Sequence, residues 1–132
     1  MITTLLILGI FAAIILAAAL DPNHPNLLAT FSDAPVFDMD KPGQVFYRKP
    51  ILAREGANIA ILEDGRVKES TDGPYEKSEV IYQEGFSLPN YGGRYPVIGS
   101  WCVDGLAAGM GIREDGLITS NTASFIPHII EG

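Results

Sequence analysis

"ANIAILEDGRVKES", residues 57–70, decides how the fold is read. Two short alternating runs flank Asp64-Gly65. Both central residues of a tight hairpin turn need left-handed backbone, which glycine adopts freely and aspartate tolerates, so Asp-Gly between such runs is a strong hairpin signal. "YPVIGSWCVDGLAAGMGI", residues 95–112, repeats the design around Asp104-Gly105. "QVFYRKPIL", residues 44–52, is rich in β-branched and aromatic residues, and Pro50 marks where that strand leaves its sheet. "SEVIYQEGFSLP", residues 78–89, is a further strand, followed by the loop "NYGGR". The sum is five or six strands, mostly antiparallel neighbours, with few helices. "SNTASFIPHII", residues 120–130, is expected to close as a short turn or helix. "DPNHPNLLATFSDAP", residues 21–35, is broken by three prolines and suits a linker or irregular capping segment. His24 is a polar turn residue there.

At 132 residues the chain is one domain at most. Its formal charge is −7, and no run of cations is longer than Arg48-Lys49. That argues against a nucleic-acid surface, which needs several grouped cations, but not against a nucleotide, which one or two placed cations can hold. The single cysteine, Cys102, excludes an internal disulfide and is expected to be a small buried hydrophobe in a strand. No histidine and cysteine lie at metal-ligand spacing.

"MITTLLILGIFAAIILAAAL", residues 1–20, carries no charge and is long enough to span a bilayer as a helix. A buried helix of a larger protein and a mis-set start that supplies unrelated residues are the other readings. A cleaved leader is disfavoured: Ala17-Ala18-Ala19 offers a small-residue site, but no Lys or Arg precedes the apolar run.

Three stretches could carry chemistry. Lys49 in a strand is followed by the small-residue loop Arg54-Glu55-Gly56-Ala57, an arrangement suited to phosphate oxygens; a solvated lysine beside a plain hairpin loop is the ordinary alternative. Gln83 to Phe86 end a strand that could line an adenine pocket. Arg113 lies beside Glu114 and Asp115 among glycines, and a guanidinium can hold a phosphate or an oxyanion by two parallel hydrogen bonds. An ordinary charged turn is the competing account.

Taken in order, "HPNLL" (24–28), "KPILAREGANI" (49–59), "IYQEGFSLPNYGGRYPVIGSW" (81–101) and "AAGMGIREDGLITSNTASFIPHII" (107–130) resemble the C-terminal end of the glutathionylspermidine synthase family, including its amidase-lacking members. The resemblance runs collinearly over roughly residues 23 to 130. It implies an α+β fold, the C-terminal portion of an ATP-grasp fold with a mainly antiparallel sheet, preceded by one hydrophobic helix over residues 1–20. Residues 21–132 would form the partial synthetase domain.

By that resemblance the chain is an ATP-dependent carbon–nitrogen ligase that activates a glutathione-like acid as an acyl phosphate for attack by a polyamine-like amine. Lys49 would contact ATP phosphates, and Glu55 and Gly56 would lie in the mobile loop over the nucleotide. Gln83, Glu84, Gly85 and Phe86 would form the adenine side, and Leu117, Ile118 and Thr119 a wall of the nucleotide pocket. Arg113 would stabilise the transferring phosphoryl group or the tetrahedral intermediate. One departure is visible: only Gly116 stands between the acids and "LIT", where the family has an additional residue. The Mg²⁺ and glutathione ligands are expected upstream of this chain, with Glu114 and Asp115 left as a solvated acidic turn. The chain is therefore expected to be an incomplete fragment, inactive alone, and cytoplasmic because ATP is. The alternative is a non-enzymatic single-span membrane protein, anchored by residues 1–20, whose small β-rich domain binds a partner.

Overall fold

A computed structural model describes residues 24–129. Among these the chain forms eight strands: β1 Thr30–Phe31, β2 Val45–Pro50, β3 Ala60–Glu63, β4 Arg66–Ser70, β5 Val80–Glu84, β6 Tyr95–Val103, β7 Leu106–Asp115 and β8 Ser124–Ile126. They make two antiparallel sheets in two compact units, divided between Phe86 and Ser87.

The first unit holds the five-stranded sheet, in the order β1-β5-β2-β3-β4. Asp64 and Gly65 turn β3 into β4 at φ 48° and 79°, both in the left-handed region that the Asp-Gly signal requires. A register shift between Ile61 and Leu62 lets β4 carry one extra residue, Lys68. β2 ends at Pro50 as expected. Its other neighbour is β5, which pairs Tyr47 with Gln83 and Lys49 with Ile81. Ala60, Ile61 and Ile81 are the buried apolar residues of this unit, and Ile61 is 1% exposed. On the face opposite Ile61 and Ile81, which Ala60 shares, Phe46 meets Phe31 and Phe37 edge-on, with ring centroids 6.1 and 5.4 Å away. Arg66, Lys68 and Glu69 charge the outer strand β4, which discourages pairing with another chain.

The second unit is a long β6–β7 hairpin with the short β8 beside its base. Asp104 and Gly105 turn it at φ 50° and 77°. Its far part is exposed on both strands, including Trp101, Val103 and Leu106.

Four expectations are corrected. The α+β assignment, an ATP-grasp portion preceded by one hydrophobic helix, gives way to an all-β architecture: the described residues contain strands and no helix. The helix expected over residues 1–20 lies outside the described residues. Among the described residues no helix is long and apolar enough to cross a membrane. The closing segment expected as a turn or helix opens on a turn, with the Ala123 amide donating to the Ser120 carbonyl at 3.4 Å, and then forms β8 in place of a helix, because Ser124, Phe125 and Ile126 find ladder partners in Glu114, Arg113 and Ile112. Residues 21–35, read as linker or cap, supply the two-residue β1 through pairing with β5. Cys102 is exposed rather than buried, since it sits on the hairpin beyond the core.

Candidate functional site

In the first unit the site is built on a rung of the sheet. Thr30, Gln83, Tyr47 and Ile61 oppose one another across β1, β5, β2 and β3, so their side chains share one face. Lys49, two residues beyond Tyr47, falls on that face and lies diagonal to Gln83, within reach of a long side chain. Its Nζ donates a 2.7 Å hydrogen bond to Gln83 Oε1 and lies 5.5 Å from the centre of the Tyr47 ring. Gln83 Nε2 in turn reaches Thr30 Oγ1 at 3.4 Å, and Thr30 Oγ1 donates to the Leu28 carbonyl at 3.1 Å.

Lys49 is half-buried, not the solvated lysine of the ordinary alternative. Burial lowers its pKa from the usual lysine range. Among the described residues no carboxylate lies within ion-pair distance of it. A neutral amide and an aromatic face compensate an ammonium only in part, so this position favours an incoming anion.

The loop after β2 is held from beneath. Glu55, Gly56 and Asn58 take φ values of 61°, 72° and 54°. Such backbone in two non-glycine residues persists only where surroundings impose it. Thr71 does so: its hydroxyl donates to the Gly56 carbonyl and accepts from the Ile59 amide at 3.1 Å. Asn58 Oδ1 accepts from the Tyr75 amide at 2.8 Å. Glu55 and Gly56 thus sit on a loop with a pinned base.

The adenine-side residues divide. Gln83 is committed to Lys49. The amides of Glu84 and Gly85 already donate to the carbonyls of Ala29 and Val45, at 2.8 and 2.7 Å, so neither N–H is left for a base. Gly85 lies so close to β2 that a Cβ there would stand 2.6 Å from Val45 Cγ1 and 2.9 Å from its carbonyl oxygen. Phe86, 64% exposed, is the member with a ring to offer.

In the second unit Arg113 lies inside β7, not in a turn, opposite Val97 and Phe125. It is exposed and makes no ion pair with a described residue. Neither adjacent acid neutralises it. Glu114 alternates to the other face, with Arg94 at 3.9 Å. Asp115 folds onto the following loop: Oδ2 accepts from the Ser120 hydroxyl at 2.7 Å and its amide at 2.8 Å, and Oδ1 from the Gly116 amide at 2.8 Å. These hydrogen bonds, Ser120's foremost, hold its carboxyl below the usual carboxylate range. The clasp encloses Leu117, Ile118 and Thr119, of which Ile118 is buried. The expected solvated acidic turn is therefore an organised one. Among the described residues no three His, Cys, Asp or Glu side chains are grouped so as to hold a metal ion.

Reasoning from sequence missed Thr30, Tyr47, Thr71 and Ser120. Tyr47 was recoverable from its two-residue spacing to Lys49. Thr30 and Thr71 act through pairings that no local pattern announces.

Comparison with known proteins adds descent. The family model described as "Glutathionylspermidine synthase preATP-grasp" matches residues 14–131. A Haemophilus influenzae protein named "Putative acid--amine ligase" is 41% identical over 114 residues, covering 81% of this chain and 28% of that protein. The trypanothione synthetase of Crithidia fasciculata is 38% identical over 96 residues, covering 71% of this chain and 14% of its own length. The chain thus spans well under a third of either relative.

Proposed function

The chain belongs to the glutathionylspermidine synthase family, and from that premise we propose that it carries part of the nucleotide site of an ATP-dependent acid–amine ligase. The observation that carries this reading is Lys49, a half-buried ammonium tied to a neutral amide with no carboxylate partner among the described residues. The names of the relatives support amide formation between an acid and an amine, and the family's name supports a glutathione-like acid and a polyamine-like amine.

In this reading a substrate carboxylate oxygen attacks the γ-phosphorus of ATP, giving an acyl phosphate and ADP. The amine nitrogen then attacks the acyl carbon, the tetrahedral intermediate expels phosphate, and the nitrogen loses a proton to leave the amide. Lys49 holds phosphate oxygens from one side of the sheet, and the loop bearing Glu55 and Gly56 covers them. Within the same unit Phe86 offers its ring to the adenine. In the second unit, taken by itself, Leu117, Ile118 and Thr119 are the nucleotide-facing stretch that the family likeness suggests. Arg113 of that unit is left uncompensated by Glu114 and Asp115 and is suited to meet charge that develops on a phosphoryl group or an oxyanion. Dependence on ATP puts this domain in the cytoplasm.

Calorimetric titration of the full chain with MgATP tests the reading. Binding is expected, and Lys49→Ala and Arg113→Ala should each weaken it about tenfold or more, the loss of a charge-assisted contact. No binding at millimolar MgATP would overturn it.

A further inference from the structure

A primary amide has two ends of nearly the same shape and opposite hydrogen-bonding sense. Gln83 can support Lys49 only with its oxygen turned toward the ammonium; flipped, its NH₂ would face Nζ donor to donor. The ammonium itself disfavours that flip, and a group on the far side of the amide can reinforce the choice. The Thr30 hydroxyl is the group on the far side of that amide, directly opposite Gln83 in the β1–β5 register. Its one proton is committed to the Leu28 carbonyl at 3.1 Å. Toward Gln83 it therefore presents lone pairs only, and it accepts from Nε2 at 3.4 Å. The amide nitrogen is drawn to Thr30, and Oε1 is left for Lys49 at 2.7 Å.

We infer that Thr30 is a positioning residue: its hydroxyl, oriented by the Leu28 carbonyl, reinforces from the far side the Gln83 amide orientation that faces Oε1 to Lys49, and so steadies the ammonium for phosphate. This rests on the proposed role of Lys49 for its consequence, though not for its geometry. The relay also reassigns Gln83. Its amide is used on Lys49, not on adenine.

A carboxylate supplies the control. In Gln83→Glu both ends of the side chain accept, so nothing remains for Thr30 to choose. The dependence of Lys49 on Thr30 should vanish in that background.

The test is trace acetylation of the full chain without nucleotide, read by mass spectrometry as the rate at Lys49 relative to exposed Lys77. Thr30→Val keeps the branched shape and removes the hydroxyl. It should raise relative labelling of Lys49 about fivefold, the weight of a modest hydrogen bond, while Thr30→Ser stays at the wild-type rate. Adding Thr30→Val to Gln83→Glu should change the rate by less than about twofold. A wild-type rate in Thr30→Val, or an equal rise in both backgrounds, overturns the relay. Thr30→Ala carries the same expectation should the valine variant not fold. A parallel MgATP titration separates the two readings: if the wild-type chain binds no MgATP, the nucleotide role falls, while the labelling still decides whether Thr30 orients Gln83.

Discussion

Asp115 accepts from Ser120 twice, through the hydroxyl at 2.7 Å and the amide at 2.8 Å, and so closes a loop that begins where β7 ends. The bonds favour the ionised carboxyl and hold its folded-state pKa below that of the unfolded chain. The unfolded chain thus binds the proton at a higher pH than the fold does. The clasp's stabilisation is complete above the unfolded carboxylate range and is lost as pH falls through that range to the folded value. Urea denaturation should show Asp115→Asn less stable than wild type near neutrality, with the gap closing toward pH 3. For this partly exposed group the gap at neutrality should be about 1 kcal/mol. A gap independent of pH would mean that the carboxylate's charge is not what holds the loop.

This acidic pair shows how far the sequence could be read. Arg113, Glu114 and Asp115 are adjacent, and adjacency suggested either a charged turn or a phosphate-directed arginine. The extended backbone of β7 sends Glu114 to the face opposite Arg113, and the hydroxyl of Ser120 engages Asp115. The first effect has a period of two but needs β7 to run on to Asp115, where an acidic turn was expected; the second depends on a loop. By contrast, Asp64-Gly65 and Asp104-Gly105 announced both hairpins, because a turn is decided by its own residues. The placement of β5 between β1 and β2 is decided by side chains far apart in the chain, so the Lys49–Gln83 contact, 34 residues apart, stayed hidden. The closing turn expected over residues 120–130 is present at its start, but residues 124–126 form a strand for the same reason: a vacant edge of β7 outweighed local preference.

Gly85 is constrained by contact and not by its backbone angle. A methyl group there would meet Val45 Cγ1 at 2.6 Å and the Val45 carbonyl oxygen at 2.9 Å, where the Gly85 amide donates at 2.7 Å. Gly85→Ala should therefore cost about 2 kcal/mol, an overpacking penalty. Adding Val45→Ala should recover only part of it, because the carbonyl remains. Urea midpoints of the two variants and wild type provide the check, and full recovery would locate the clash in the side chain alone.

Thr71 pins the loop that carries Glu55 and Gly56. Thr71→Val leaves the Ile59 amide and the Gly56 carbonyl without their hydroxyl partner, at a cost of about 1–2 kcal/mol. Hydrogen exchange of residues 55–59 should quicken well beyond that of β6 and β7, while Thr71→Ser should exchange as wild type. Uniform acceleration across both units would show general destabilisation and dismiss a specific role at the loop.

The exposed hairpin and the buried strand should respond oppositely to truncation. Trp101, the only tryptophan, is 69% exposed on β6, whereas Ile61 on β3 is 1% exposed. Deleting a side chain that already meets water changes little, so Trp101→Ala should shift stability by no more than about 0.5 kcal/mol. Ile61→Ala removes buried methyl and methylene groups and leaves a cavity, costing about 3 kcal/mol. Acrylamide should quench the tryptophan fluorescence nearly as efficiently as it quenches the free amino acid. Weak quenching together with a large loss in Trp101→Ala would mean that in solution the β6–β7 arm is covered, and its apolar residues would then have to be counted as core.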